Sequence, residues 1–500
     1  MSEDAQYFPS PKLFVPAGTL LDTQPGVVDG VAAAFETLRT RPERLGSWDM
    51  DKFPNPAYMF QNVGGGETQS HFQGIQRLEK HNLLVISGGD LKHKVSHLFL
   101  VECDPRSTWG PLGSNLWKSP RTPPDGDRLR RVFAIDRDGW HAGGISVLGD
   151  IIAVPLEGPV PAHVVFLDLS DPMAPRWIGS AAGDGTPNMI TVETRAAGAI
   201  ALTRTPGGHF LAAIWRDEQG SEAAGRIDFF VSKGAVTPGD RQTAFEPDWK
   251  PFGAWVYAPP NPEMPAKPHY QALTFIWERG TAAPSLFLIG TRNSDVMAPN
   301  QAGEDWADLY QIAPPAGMSV TTTAATAASP AAPTPVFVAA RRFRGADEFC
   351  SFAGAGGAFV SAAGGLAIYA AFHFRGDGLF RMSEYWGDGA AAGTWWVDLF
   401  ERSNFEGHRL AIFDPAESTI DDYGNRFAQG DKFDDTVISV RHCLPVGVTY
   451  RLFKQPNHPS NPAPSEFVDL LGTGAVVEVP RLDGINPAFG RTVRSSALVP

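Results

Sequence analysis

A chain of 500 residues with 43% hydrophobic and 11% aromatic content is folded, and too long for one ordinary core, so several domains or a large repeat architecture are expected. The formal net charge of −13 argues against a phosphate-neutralising nucleic-acid surface, and no run approaches the roughly 18 consecutive apolar residues of a membrane helix. The 52 Gly and 43 Pro punctuate the chain as the turns of an all-β protein do.

The N-terminus, "MSEDAQYFPSPK", has an acidic front and no apolar core segment, so no signal peptide is read there. Three cysteines, Cys103, Cys350 and Cys443, show no pairing pattern. Together these predict a reduced, cytoplasmic setting, with secretion left open should a leader be missing. "PKLFVPAGTL" reads as a strand able to complete the last unit of a closed ring. The one stretch with helical spacing is Gly26 to Leu45, where Val31, Phe35 and Leu38 recur on one face. "RLRR" at Arg128 to Arg131 reads as a solvated turn. "NVGGGE" (Asn62 to Glu67) introduces a strand rather than a helix, which speaks against a phosphate cradle.

A histidine then recurs three places ahead of a small residue: "HFQGI" at His71, "HAGGI" at His141 and "HYQAL" at His269. "AAGAI" at Ala196 and "CSFAGAGGAFV" near Cys350 and Ser351 fill the same place without a histidine. The five openings are spaced at roughly 55 to 81 residues, each followed by short alternating runs separated by turn residues. The second unit is the clearest: "GGISVL", "IIAVPLE", "HVVFLDLSD", "RWIGSA". A repeat near 70 residues with three or four strands predicts a propeller blade. Five blades span residues 1–387, with a Pro/Thr/Ala-rich insertion at 313–335. The wording "GGISVLGDIIAVPLEG…VVFLDLSDPMAPRWIGS" resembles bacterial propellers of the LVIVD-repeat type, a resemblance that implies a fold and no reaction.

Propeller geometry predicts that His71, His141 and His269 point toward one end of a shared axis. Three imidazoles there suit a transition metal with an open coordination position, and Glu67, Glu193, Asp347 and Glu348 are the carboxylates near enough in sequence to orient them. The competing reading gives those rings to backbone carbonyls and channel water. Acid–base or ligand-binding work is the third. Carotenoid-cleaving oxygenases use axial histidines on a larger propeller, an analogy of fold alone. His93 and His97 read as loop residues. No GxSxG, HExxH or Walker loop is present.

After "WGDGAAAGT" (Trp386 to Thr394) the character changes. "VDLFERSNFEGHRLAI", with Phe400 and with Phe405 two places before Gly407, resembles the opening hairpin of a βγ-crystallin Greek key, and the resemblance covers 395–500. "FDDTVISV" matches that family's calcium signature, while the later "RTVRSS" lacks both acidic positions. Carried over by position, the resemblance implies one calcium site from Asp435, Ser495 and the carbonyl of Val493. The partner site would fall on Ile438 and Thr492, and Ile438 offers no oxygen ligand. A module that has lost calcium is the alternative.

The expectation is therefore an all-β protein, a five-bladed β-propeller followed by a βγ-crystallin-like Greek-key sandwich. It would bind a small-molecule, carbohydrate or protein partner, without nucleic acid or membrane span. The alternative is a metal-dependent enzyme centred on His71, His141 and His269. Exposed tryptophans, Trp140, Trp255, Trp386 and Trp396, are the candidates for carbohydrate contact.

Overall fold

The computed structural model describes residues 9, 11–38, 43–49, 71–90, 93–102, 128–158, 161–194, 196–216, 225–260, 268–279, 284–293, 305–313, 333–343, 351–361, 364–371, 379–386, 396–400, 403, 409–412, 427–428, 431–432, 437–444, 446–455, 462–473, 476–486, 493 and 495–499. The protein is all-β. It divides into two compact units, one built from residues up to Tyr385 apart from two segments, the other from those segments and Trp386–Pro500. Among the described residues no helix is long and apolar enough to cross a membrane.

Among the described residues the first unit holds five antiparallel strand groups, called sheets below, the first and fifth of them joined into one sheet where Gly356 pairs with Gly74. The first sheet runs His71–Leu78, Leu83–Asp90, Val95–Glu102, Arg128–Ala134. In the second, His141–Ala142 and Ser146–Leu148 pair with Ile151–Glu157, which pairs with Ala162–Asp168; Arg176–Trp177 and Met189–Val192 lie beyond. The third is Ala199–Arg204, Phe210–Arg216, Arg226–Ser232, Trp249–Val256. The fourth is Ala272–Glu278, Ser285–Asn293, Asp305–Ala313, Thr334–Phe343, and the fifth Ser351–Val360, Leu366–Ala371, Leu379–Trp386.

Alternation explains how the sheets stack. In Ile151–Glu157, Ile151 and Ala153 pack with Ile200, Leu202 and Ile214 of the third sheet. Their neighbours Ile152, Val154 and Leu156 pack with Val85, Leu98 and Leu100 of the first. The third sheet repeats the pattern, turning Ala213 and Trp215 toward Leu273 and Phe275 of the fourth. The fourth turns Phe287 and Ile289 toward Ile368 and Ala370 of the fifth. Strands buried on both faces lose the polar half of the alternation, so they read as continuous apolar runs.

The first strands of successive sheets touch in a circuit. Gln76 Nε2 donates to Ile145 O at 3.4 Å, Gly144 N to Gly198 O at 2.8 Å, and Trp277 Nε1 to Thr203 Oγ1 at 2.9 Å. Thr274 Oγ1 donates to Ala358 O at 3.3 Å, and Gly356 pairs in parallel with Gly74. Glycine is required where these strands crowd: a Cβ on Gly144 would lie 2.0 Å from Gln271 O, and one on Gly357 only 1.8 Å from Ile75 O.

The stretch Pro11–Leu20 does not add a strand to the last sheet, as the sequence suggests it could. The N-terminal segment crosses several sheets. Val15 N donates to Trp177 O at 2.8 Å, and Leu20–Asp22 pairs with Gln242–Ala244 of the third sheet's outer loop. Val27–Val28 runs parallel to Trp277–Glu278. A helix follows over Val31–Glu36 only, far shorter than the spacing implies, yet Val31, Phe35 and Leu38 are buried together against the fourth and fifth sheets. A six-residue helix cannot sustain itself in water and exists here because that face is covered. Arg128–Ala134 is a strand, not a turn, with Arg130 paired to Glu102 at 3.1 Å. His93 does lie in a turn, while His97 is buried within Val95–Glu102.

In the second unit one sheet has the order Arg409–Ile412, Trp396–Phe400, Ser439–Cys443, Val476–Val479, and another Phe467–Leu471, Thr449–Phe453, Ser495–Val499. The first thus takes its edge strand from the later half of the unit. Val397, Leu399, Val440, Tyr450, Leu452 and Val468 are buried.

Candidate functional site

The five strand openings were the sequence's candidate positions. His71 is the first residue of its strand and lies opposite Gly89 in register; its side chain is outside the described residues. Gly89 in turn lies against His141: a Cβ there would be 3.0 Å from both Cα and Cδ2 of His141. The backbone at His71 and the ring of His141 are thus separated by one glycine.

His141 is the best-defined of the group. It pairs in register with Glu157 across the second sheet, and its Nδ1 lies 2.7 Å from Glu157 Oε2. A carboxylate only accepts, so Nδ1 carries the hydrogen, and in the neutral ring Nε2 is the acceptor. Gln73 Nε2, from the first sheet, meets that nitrogen at 3.3 Å. Glu157 Oε1 accepts from Ala197 N of the third opening at 2.7 Å. Three successive sheets therefore meet through one imidazole and one carboxylate. Both side chains remain accessible to about a fifth, 19% for His141 and 21% for Glu157. Trp140 tilts against the His141 ring at 5.6 Å, with the Lys94 ammonium 4.4 Å over its own ring.

His269 is half-buried and takes a left-handed backbone conformation, φ 46°, uncommon for a residue with a Cβ. Two residues on, Gln271 N donates to Thr291 O at 2.8 Å, which starts the fourth sheet's pairing. Ala196 is half-buried just before Ala197, and Ser351 opens the fifth sheet; Cys350 is outside the described residues.

Among the described residues no group of three His, Cys, Asp or Glu side chains stands ready to hold a metal. Of the carboxylates expected to orient the histidines, Glu193 is exposed, and Glu67, Asp347 and Glu348 lie outside the described residues. The carboxylate found on His141 is Glu157, which sequence reasoning missed. Its signal was present: the run "IIAVPLEG" returns antiparallel from the opening and brings Glu157 beside His141. A second carboxylate–imidazole pair occurs nearby, with His93 Nδ1 2.7 Å from buried Asp90 Oδ2.

Beyond His269 lies a buried polar cluster that sequence reading did not anticipate. Tyr270 Oη donates to Asp308 Oδ2 at 2.9 Å and lies 2.7 Å from Tyr310 Oη, while Arg292 Nε donates to the same Asp308 oxygen at 2.7 Å. Burial pushes the Tyr270 hydroxyl well above its ordinary range, and raises Asp308 against the opposing pull of Arg292. Burial raises Tyr257 to about 12. These groups are fixed and neutral or paired, which suits a scaffold.

For the C-terminal calcium expectation, Asp434, Asp435 and Thr492 lie outside the described residues, as do Phe405 and Gly407. Val493 is buried, Ile438 is half-buried, and Ser495 opens the strand Ser495–Val499.

No family model matches the chain, and no curated protein matches it.

Proposed function

We propose that the first unit is a five-bladed β-propeller that binds a small ligand at its strand-opening end, around His141 and Glu157. The propeller reading is supported by the circuit of first-strand contacts, ending on the pairing of Gly356 with Gly74. The ligand-binding reading rests on one observation: a partly exposed imidazole held by Glu157 on one side and Gln73 on the other. Such a ring is preorganised and keeps a polar edge at the surface, as ligand sites require. The metal-dependent alternative would need His141 Nε2 to leave Gln73 before joining His71 and His269.

The second unit is proposed as a βγ-crystallin-type Greek-key module. The interleaving of Val476–Val479 into the sheet of Trp396–Phe400 supports that reading, since two Greek keys that exchange a strand produce this order. One calcium ion held by Asp435, Ser495 and the Val493 carbonyl remains part of the proposal.

Elemental analysis of the purified chain, followed by calcium titration monitored through the melting temperature, tests both readings. The binding reading predicts no stoichiometric transition metal and a calcium-dependent rise in melting temperature that Asp435→Ala removes. Stoichiometric iron, copper, zinc or manganese lost in the His71→Ala/His269→Ala double variant would replace it with the enzyme reading. A calcium response unchanged in Asp435→Ala would remove the calcium assignment.

A further inference from the structure

The first strands of neighbouring sheets run in parallel where they bridge, at Gly144–Ala199 and Gly356–Gly74, so the ends opposite the openings also gather together. One stretch of chain lies over those ends. Asp22 N donates to Asp150 Oδ2 at 3.0 Å and Asp150 N to Asp22 O at 2.9 Å, at the turn that ends the second sheet's first strand. Lys80, just past the first strand of the first sheet, reaches the same Asp150 at 3.1 Å. Arg204, which ends the third sheet's first strand, donates from a terminal guanidinium nitrogen to Thr23 Oγ1 at 2.8 Å. From the fourth sheet, Trp277 N donates to Gly26 O and Arg279 N to Val28 O, each at 3.0 Å. A Cβ on Gly26 would lie 2.8 Å from that of Val360, the last residue of the fifth sheet's first strand.

Two glycines bound this stretch. Gly18 and Gly30 both take the left-handed conformation, φ 75° and 68°, with no close neighbour where a Cβ would stand. Such positions let a backbone turn at little cost. Between them only Leu21 and Val28 are buried apolar residues, while Leu20, Gln24 and Asp29 face solvent. The stretch is therefore one chain thick and held chiefly by polar contacts. The cations on its two carboxylate anchors, Arg241 at Asp22 and Lys80 at Asp150, are 69% and 57% exposed, and exposed ion pairs hold weakly. Beyond Gly30 the character reverses, since Val31, Phe35 and Leu38 are all buried and anchor the chain. Few apolar contacts and solvent-facing bonds mark the parts of a protein that open locally, ahead of its core.

We infer that Thr19–Asp29 is a lid over the far end of the first strands, hinged at Gly18 and Gly30, which opens and closes as one unit while the sheets beneath stay formed. Its bonds to the second, third and fourth sheets lie along one short extended run, so none is free to break and leave the rest in place. Lifting the lid uncovers the end of the circuit opposite His141 and Glu157 and frees the buried Arg204 guanidinium from Thr23.

The test is native-state hydrogen exchange of the full chain, read at single amides. Thr23, Asp150, Trp277 and Arg279 all donate across the boundary between lid and sheets. In the wild type these four should share one opening equilibrium, about tenfold or more above that of Ala212 and Ile214 within the third sheet. Thr23→Val deletes the acceptor of Arg204 and should raise opening at all four about tenfold, leaving Ala212 and Ile214 within about twofold. Gly30→Ala removes no bond to the sheets but disfavours the closed hinge, and should raise the same four about fivefold or more. Unrelated openings in the wild type, or a rise in Thr23→Val confined to Thr23 and Asp150, would overturn the lid in favour of separate contacts. An equal rise at Ala212 and Ile214 would overturn it too, since the stretch would then open only with the sheets. No rise in either variant would remove both latch and hinge.

Discussion

Glu157 and His141 stand opposite each other in register on adjacent strands, 2.7 Å apart through Oε2 and Nδ1, and the second oxygen of Glu157 accepts the Ala197 amide. One carboxylate thus fixes an imidazole and fastens the second sheet to the start of the third. Glu157→Gln keeps the size but can accept through only one oxygen, leaving either His141 Nδ1–H or Ala197 N–H facing an amide NH₂. We expect about 1–3 kcal/mol of destabilisation in urea unfolding. Glu157→Asp, whose shorter side chain cannot reach both partners, should lose a comparable amount. Wild-type stability in Glu157→Gln would show that the carboxylate holds neither partner.

The N-terminal crossing carries its own prediction. Phe35 is fully buried among Ile276, Phe287, Leu309 and Tyr385, so Phe35→Ala should cost about 3–5 kcal/mol. The exposed Leu20→Ala, on the same segment, should change stability by under about 0.5 kcal/mol. Chemical denaturation of the two variants side by side checks whether this segment is an integral part of the first unit or a peripheral strand.

These two cases mark what was legible in the sequence. The second sheet was readable strand by strand because alternation and the "GD" turn are local signals, and they survive in "GGISVLGDIIAVPLEG". The small residues after each opening were legible for the same reason, and Gly144 against Gln271 O shows the crowding that selects them. The N-terminal crossing was not legible. Its partners, such as Thr243 for Thr23 and Glu278 for Val31, stand more than 200 positions away, and nothing local encodes such a meeting. Glu157 was missed because carboxylates were sought beside the openings rather than on the strand that returns to them.

Asp305 makes stability depend on pH in a direction opposite to most carboxylates. It is buried, accepts from Asn293 Nδ2 at 2.7 Å and from Phe352 N at 2.9 Å, and burial outweighs both to raise it to about 7. Between the unfolded value near 4 and about 7 the folded state holds a proton that the unfolded state has released. Stability contributed by this group is therefore present at low pH and lost as pH rises through that window. Asp305→Asn should flatten the decline between pH 5 and 7.5 and be the more stable protein at pH 8. A variant that keeps the wild-type slope would assign the pH dependence elsewhere.

His442 in the second unit works the other way. Its side chain is buried, Nδ1 has no hydrogen-bond partner among the described residues, and burial alone lowers it to about 4. The unfolded chain binds a proton near 6.5 and the folded one only near 4, so stability is fully present above 6.5 and is lost as pH falls through that interval. His442→Leu removes both the titration and the orphaned nitrogen while keeping an apolar side chain opposite Val397. Hydrogen exchange of the strand Ser439–Cys443 is the local readout. In the wild type, protection should weaken between pH 6.5 and 4.5 after correction for the intrinsic rate; in His442→Leu it should hold constant. Equal weakening in both proteins would show that acid opens this strand through another group.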